Sequence, residues 1–279
     1  MKTLGENLGS PFFQRALLES VLVGAVAGVV GVHVLLRRLS FFVVAMSHAT
    51  FPGVVLASAV GMSLFVGGAA FGILVVIVIV ALGAVRGLDD SSAIGVVLAG
   101  AFSIGLLVLS ARPAPSKDLS AFLVGQILTV SAADVVAAGV TGLLLLVVLA
   151  ALHKELVHGA FDPAGLGALG YPTRALEFLT LVVVTVALVT AVPAVGTLLA
   201  VALLVVPALA ARQWVDRIGP MMAVAALIGA SSSVIGLCLS ALWNIAAGSA
   251  IALTASAAFS ASLVARSFLN ATSRSSATA

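Results

Sequence analysis

Residues 40–60 read SFFVVAMSHATFPGVVLASAV, an apolar stretch without a single Asp, Glu, Lys or Arg. A helix of this length is about 30 Å long, which matches the hydrocarbon core of a membrane. His48 is the ninth of these 21 residues, at a depth where burying a charged side chain costs at least about 2.5 kcal/mol. Such a residue usually faces a cavity, a partner or a substrate path.

The backbone beside His48 is expected to be irregular. Pro52, four residues later, has no N–H with which to bond the carbonyl of His48. An imidazole that can bind metal, beside a loosened helix, indicates part of a translocation route. We therefore interpret His48 as a metal ligand on the path, with Ser47, Pro52 and Gly53 shaping it.

The rest of the chain has the composition of a membrane protein. Of its 279 residues, 62% are hydrophobic and 8% are charged, whereas soluble domains carry about 25% charged residues. The pattern predicts an all-α, polytopic transmembrane helix bundle, a single domain over residues 1–266 with a flexible polar cytosolic tail over 267–279. About nine spans are predicted, with a break near Pro193: 17–36, 40–60, 63–85, 92–110, 132–152, 176–192, 194–211, 220–239 and 245–265. Residues 118–130 are too short to cross and are predicted to be re-entrant or interfacial.

The positive charges indicate orientation rather than nucleic-acid binding, because they are scattered between the spans. With the amino terminus outside, nine of the 13 Lys and Arg residues fall inside and four outside. Positive residues concentrate on the cytoplasmic side of membrane proteins. This predicts an outside amino terminus and an inside carboxyl terminus.

The longest polar connection is the inside segment 153–174. Asp162 followed by Pro163 is a helix-start signal, and Gly170 followed by Pro172 is a stop signal. The sequence therefore predicts a helix of about two turns, for which Phe161, Leu166 and Leu169 are candidate packing anchors. Two interpretations stay open: a connecting loop on the lipid headgroups, or a docking helix for a cytosolic partner.

Three further residues are candidates for the path. Asp134 begins the fifth span and is either an entry-side metal ligand or a helix cap, and Asp90 before the fourth span is either an exit-side ligand or a cap. Pro207, late in span seven, pairs with Pro52 late in span two. Such a pairing suggests inverted repeats with broken helices around a central site.

Other function classes lack the residues they need. The chain has no P-loop, so it is expected to be no ATPase, and it has no motif of an intramembrane protease or hydrolase. A secondary metal transporter or channel would need several ionisable residues at depth for coupling. We recognise only His48 there, so this alternative is disfavoured but stays open.

Four sequence blocks resemble the permeases of zinc, manganese and iron ABC importers. They are GVHVLLRRLSFFVVAMSHATFPGVVLA at 31–57, DSSAIG at 90–95, FDPAGLGALG at 161–170, and AVGTLL at 194–199 continuing to Pro207. They occur in family order over most of the chain, and the SHA-x-x-PG and FDP…ALG blocks are the specific ones.

The resemblance implies a permease subunit in a prokaryotic plasma (inner) membrane that works by alternating access. A cytosolic ABC ATPase would dock on the coupling helix at Phe161, Asp162, Pro163, Leu166, Leu169 and Gly170 and would use the ATP. An extracytoplasmic metal-binding protein would deliver the ion, and a second permease copy or a related subunit would complete the dimer. No permanently bound cofactor is implied; the transported ion is Zn²⁺ or Mn²⁺, with iron a third candidate.

The chain departs from the family pattern at two positions. In the family an aspartate usually lies one turn before the histidine that matches His48, but this position is Val44, and a second acidic position near the last span is Asn244. Manganese favours carboxylate oxygen, whereas imidazole suits zinc. The departures therefore favour zinc, and they leave open a chelated metal or a partner subunit that supplies the missing ligands.

Overall fold

A computed structural model describes residues 10–85, 87–111, 125 and 127–276. Its described residues form twelve α-helices and one 3-10 turn at Ile127–Thr129. The helices are α1 (Pro11–Leu36), α2 (Ser40–Ala49), α3 (Phe51–Val60), α4 (Leu64–Gly83), α5 (Asp90–Ser110), α6 (Ala132–Ala151), α7 (His153–Phe161), α8 (Pro163–Ala168), α9 (Thr173–Val195), α10 (Thr197–Arg212), α11 (Ile218–Trp243) and α12 (Ala247–Ser276).

The helices confirm the predicted all-α membrane bundle. Within the described chain, eight apolar helical segments are long enough to cross a membrane, with α2 and α3 counting as one. The apolar helix α10 is shorter, at 16 residues, or about 24 Å. Together they correspond to the nine predicted spans. Most of the re-entrant segment predicted at 118–130 lies outside the described residues.

The break predicted at Pro193 is wrong. Helix α9 continues to Val195, and the chain turns at Gly196, whose φ is +84°. Glycine adopts this backbone conformation without the steric cost that a side chain brings. A proline can remain inside a membrane helix when neighbouring groups satisfy the carbonyl that it leaves free.

Helix α1 is the centre of the bundle, and α6, α9, α10 and α11 pack around it. Two glycines allow the closest approach. A methyl group on Gly24 would lie 2.6 Å from the carbonyl oxygen of Gly229, and one on Gly28 would overlap the carbonyl of Ala225. This small-xxx-small packing at Gly24 and Gly28 fixes α1 against α11.

Helices α2 to α5 form a second group, which joins the centre through α9 and α10. A glycine pair on α4 packs on α9: methyl groups at Gly68 and Gly72 would lie 3.0 Å from Val189 and 2.7 Å from Thr185. Because these glycines have no side chains, the side chains of α9 lie directly against the backbone of α4, and the two helices pack closely.

One end of the bundle, which we call the basic end, comprises the connections 37–39, 152–172 and 213–217. Arg266, on the last helix α12, connects this helix to the end of α10, because its guanidinium donates to the carbonyls of Arg212, at 3.2 Å, and of Gln213. Helix α12 continues to Ser276. The backbone of residues 267–276 is therefore helical where the sequence predicts a flexible tail.

Candidate functional site

The segment that carries His48 is interrupted two residues after it. Helix α2 ends at Ala49, and α3 begins at Phe51 with Pro52 in its first turn. The N–H of Thr50 bonds to the carbonyls of Met46 and His48, and its hydroxyl donates to Met46 at 3.0 Å. The irregular backbone predicted from Pro52 is present, because a proline in a first turn needs no N–H partner.

His48 lies on the exposed stripe of α2, which we define as Phe41, Val44 and His48. Phe41 is 47% exposed, Val44 is 42% exposed, and His48 is half-buried. The imidazole meets the ring of Phe102 on α5 edge to face, with ring centroids 6.1 Å apart. Residues on the opposite face of α2, such as Met46, are fully buried. The ring is thus held at the border of the bundle rather than inside its core.

The residues predicted to shape the path do not all lie beside His48. Ser47 is buried, and its hydroxyl donates to the carbonyl of Val44 at 2.7 Å. Pro52 packs against α5, where a methyl group on Gly105 would come within 3.2 Å of the proline ring. Gly53 allows α3 to touch α4, because a methyl group there would overlap the carbonyl of Gly67.

Pro207 behaves differently from Pro52. It is buried inside α10, which remains continuous from Thr197 to Arg212, whereas Pro52 follows a helix break. The described structure therefore has no matched pair of broken helices at the two prolines, and the prediction of a broken helix at Pro207 is wrong. Pro207 does lie on a helix that packs against α2.

The two candidate carboxylates are not brought to His48. Asp134 forms a capping box with Ser131, whose hydroxyl donates to the carboxylate at 2.7 Å. Its helix, α6, packs mainly against α1 and α9. Asp90 begins α5, twelve residues from Phe102, which is about 18 Å along the helix. The capping interpretation therefore fits Asp134, whereas Asp90 lies in the first turn of α5 and the cap of that helix is its neighbour.

Asp89, the neighbour of Asp90, is the N-cap of α5. Its carboxylate accepts from the hydroxyl of Ser92 at 2.6 Å and from the N–H of Ser92 at 3.1 Å. These hydrogen bonds lower the pKa of Asp89 below its ordinary value, because they stabilise the ionised form. Across the described ranges, no group of three or more His, Cys, Asp or Glu side chains converges as a metal site.

Sequence reasoning missed one acidic residue in the first span. Glu19 on α1 is 2% exposed, and its Oε2 atom has no hydrogen-bond partner among the described groups. Asp134 is near enough to interact with it electrostatically. Glu19 could have been recognised from the sequence, because it is the one acidic residue within the apolar stretch 16–36.

The coupling segment, residues 161–170, is a small capped helix. The carboxylate of Asp162 accepts from the N–H of Gly165 at 2.8 Å, which caps α8 as predicted. At the other end Gly170 has φ of +86°, and the N–H of Tyr171 bonds to the carbonyl of Leu166. These are the bonds of a Schellman motif, so both ends of the predicted two-turn helix are fixed.

Only one of the three candidate anchors packs inward. Leu166 is 2% exposed, whereas Phe161 and Leu169 are each 67% exposed. The prediction that all three anchor the helix is therefore wrong for Phe161 and Leu169. Helix α7, which the sequence did not predict, packs against α8, and Leu166 lies beside Gly159 of α7.

A model of the ABC 3 transport family matches residues 10–266. The chain belongs to the ABC 3 transport family. The resemblance found in the sequence blocks is confirmed by this match over nearly the whole chain.

Family relatives carry names that specify a metal. The manganese transport system membrane protein MntC of Listeria innocua is 34% identical over 248 residues, which cover 89% of this chain and 88% of MntC. The zinc transport system membrane protein TroC of Treponema pallidum is 34% identical over 241 residues, covering 82% of this chain and 80% of TroC. The solved structure of PsaBC from Streptococcus pneumoniae in complex with Fab matches with a TM-score of 0.84 and 33% identity, covering 93% of this chain and 95% of that chain.

One departure from the family pattern has a local explanation. Asn244, where the resemblance implies an acidic residue, ends α11 with φ of +54°. Asparagine tolerates this left-handed conformation better than most residues that carry a side chain. Asn244 is therefore the C-cap of α11, and its backbone N–H donates to the carbonyl of Ser240.

Proposed function

We propose that this chain is the permease subunit of an ABC importer that moves a divalent transition metal into the cytoplasm, driven by a separate ATPase. The observation that carries the proposal is the coupling segment. Phe161, the last residue of α7, and Leu169, the C-cap of α8, flank the capped helix, and both of these large apolar side chains are 67% exposed. An exposed apolar pair at the two ends of a capped helix is typical of a surface that another protein covers.

The ATPase in this proposal docks at the basic end, which faces the cytoplasm of a prokaryotic cell. The excess of Lys and Arg at this end supports the orientation, with the amino terminus outside. An extracytoplasmic metal-binding protein delivers the ion to the opposite end of the bundle. The ATPase provides the hydrolytic site, and the permease provides the path.

The metal passes along the exposed stripe of α2. Its partial exposure supports a second permease copy that covers it, because a path open to lipid would not hold an ion. His48 is the ligand offered by this stripe, and Val44 offers none one turn earlier. An imidazole without a neighbouring carboxylate suits zinc better than manganese. The names of the relatives point to two metals, manganese for MntC and zinc for TroC. We therefore base our preference for zinc on the side chains that this stripe offers as ligands.

Transport follows alternating access. Nucleotide binding to the ATPases draws the two coupling segments together, and α8 moves with α7 and the start of α9, on which it packs. The helices around His48 then open toward one side of the membrane at a time. The break at Thr50 provides a flexible point between α2 and α3, because only part of the helical hydrogen bonding continues through it.

A comparison of metal contents tests this function. Cells that lack the gene are complemented with the wild-type chain or with a Leu169→Ser variant, and total zinc and manganese are measured by elemental analysis. We expect the wild-type chain to restore zinc content, and the variant to restore less of it although it is present in the membrane in equal amount. Equal zinc and manganese contents with and without the wild-type gene would rule out a metal importer.

A further inference from the structure

Arg37, the residue that follows α1, makes a contact that the path and the docking surface do not explain. Its guanidinium folds against α7, where Nη2 donates to the carbonyl of Leu156 at 3.3 Å. Leu156 is fully buried, and within the described chain Nε of Arg37 is buried without a partner. An arginine that only marks membrane orientation would extend into water instead.

The same guanidinium lies beside Gly159, two residues before the coupling segment. A methyl group on Gly159 would lie 3.3 Å from Nη2 of Arg37 and 3.1 Å from the Cδ2 atom of Leu166. Gly159 thus lies between Arg37 and Leu166, the one apolar anchor of α8 that packs inward. Glu177, near the start of α9, is close enough to attract the arginine. Arg37 therefore contacts α7 and attracts Glu177 of α9, the two helices on which α8 packs.

The other side of Arg37 leads to the path. Three residues, 37–39, connect α1 to α2, and this turn is tight because the N–H of Leu39 bonds to the carbonyl of Val34 at 2.9 Å. His48 lies eleven residues after Arg37, mostly along α2. Helix α1 itself is fixed against α11 by close glycine contacts. A displacement of the turn therefore tilts α2 more readily than it shifts α1.

We propose that Arg37 transmits movement of the coupling segment to the turn before α2, and so to the helix that carries His48. Arg37 is a positioning residue in this role, since it touches neither the metal nor the ATPase. The inference rests on the proposed function, because it needs an ATPase that moves the coupling segment.

The neighbouring residue offers a matched control. Arg38 carries the same charge on the same turn, but its side chain is exposed. The complete transporter, permease with its ATPase, is reconstituted in lipid vesicles with Arg37→Gln or Arg38→Gln. Retained ATPase, ATP hydrolysis and zinc uptake are measured for each. A second variant, Gly159→Ala, keeps both arginines and pushes the Arg37 guanidinium away from Leu166.

For Arg37→Gln we expect bound ATPase and ATP hydrolysis to remain, and zinc uptake per ATP to fall about 3- to 30-fold, the range of a typical coupling energy. Gly159→Ala should lower the same ratio, and Arg38→Gln should leave it unchanged. An unchanged ratio in Arg37→Gln, an equal loss in Arg38→Gln, or release of the ATPase by Arg37→Gln would each overturn the role of Arg37. A wild-type complex that hydrolyses ATP without moving metal would instead contradict the proposed function, and this inference with it.

Discussion

Replacement of Leu169 by serine should weaken ATPase binding without unfolding the permease. Fully burying a leucine side chain is worth about 1.5–3 kcal/mol. Leu169 is 67% exposed in the free chain, so about two-thirds of this, roughly 1–2 kcal/mol, remains to be gained when a partner covers it. Loss of that contact corresponds to a dissociation constant about 5- to 30-fold higher.

The assay is equilibrium binding of the purified ATPase to the detergent-solubilised permease. Leu198→Ser is the matched control, because Leu198 is 76% exposed but lies at the opposite end of the bundle. Leu166→Ala provides the contrast in folding: Leu166 is 2% exposed, and its truncation should cost about 2–5 kcal/mol of stability. If Leu169→Ser and Leu198→Ser bind the ATPase equally well, the docking surface has been placed on the wrong residues.

Three further variants test the packing, the cap and the ligand set. Gly53→Ala should lower the unfolding temperature, because overpacking costs about 1–3 kcal/mol of stability. Gly100→Ala is the control and should leave the unfolding temperature unchanged, since nothing lies within 4 Å of the added methyl group. Equal effects of the two substitutions would contradict the close contact of α3 with α4. Asp162→Ala removes a cap worth about 1 kcal/mol, so amide hydrogen exchange in α8 should be about fivefold faster; unchanged exchange would contradict the capping. Val44→Asp places a carboxylate one turn before His48 and should raise manganese uptake relative to zinc uptake. Val44→Asn is the uncharged control. An unchanged ratio of the two metals would show that the side chain at position 44 does not contact the ion.

The features that the sequence predicts well are those set by nearby residues. Asp162, Pro163 and Gly170 lie within nine residues, and their capping bonds close within the same helix. The hydrophobic segments depend on composition alone, so their number follows from the sequence. The turn at Gly196 was missed because both Pro193 and Gly196 are helix breakers, and only the packing around α9 and α10 decides between them.

The features that the sequence predicts poorly depend on distant residues. The aromatic ring that contacts His48 belongs to Phe102, which lies 54 residues later in the chain, on α5. The exposure of Phe161 and Leu169 depends on α7, whose helical pattern is too short to recognise. Arg37 is read from the sequence as an orientation charge, although its guanidinium binds the carbonyl of Leu156, 119 residues away.

Zinc uptake by the reconstituted transporter, with His48 replaced by alanine, is the most direct test of the proposed path. Val44→Ala is the control, because it shortens a neighbouring side chain on the same exposed stripe without removing a ligand. We expect ATP-dependent zinc uptake to be lost in His48→Ala and kept in Val44→Ala, with the ATPase bound in both. Zinc uptake at the wild-type rate by His48→Ala would contradict a metal path along this face of α2.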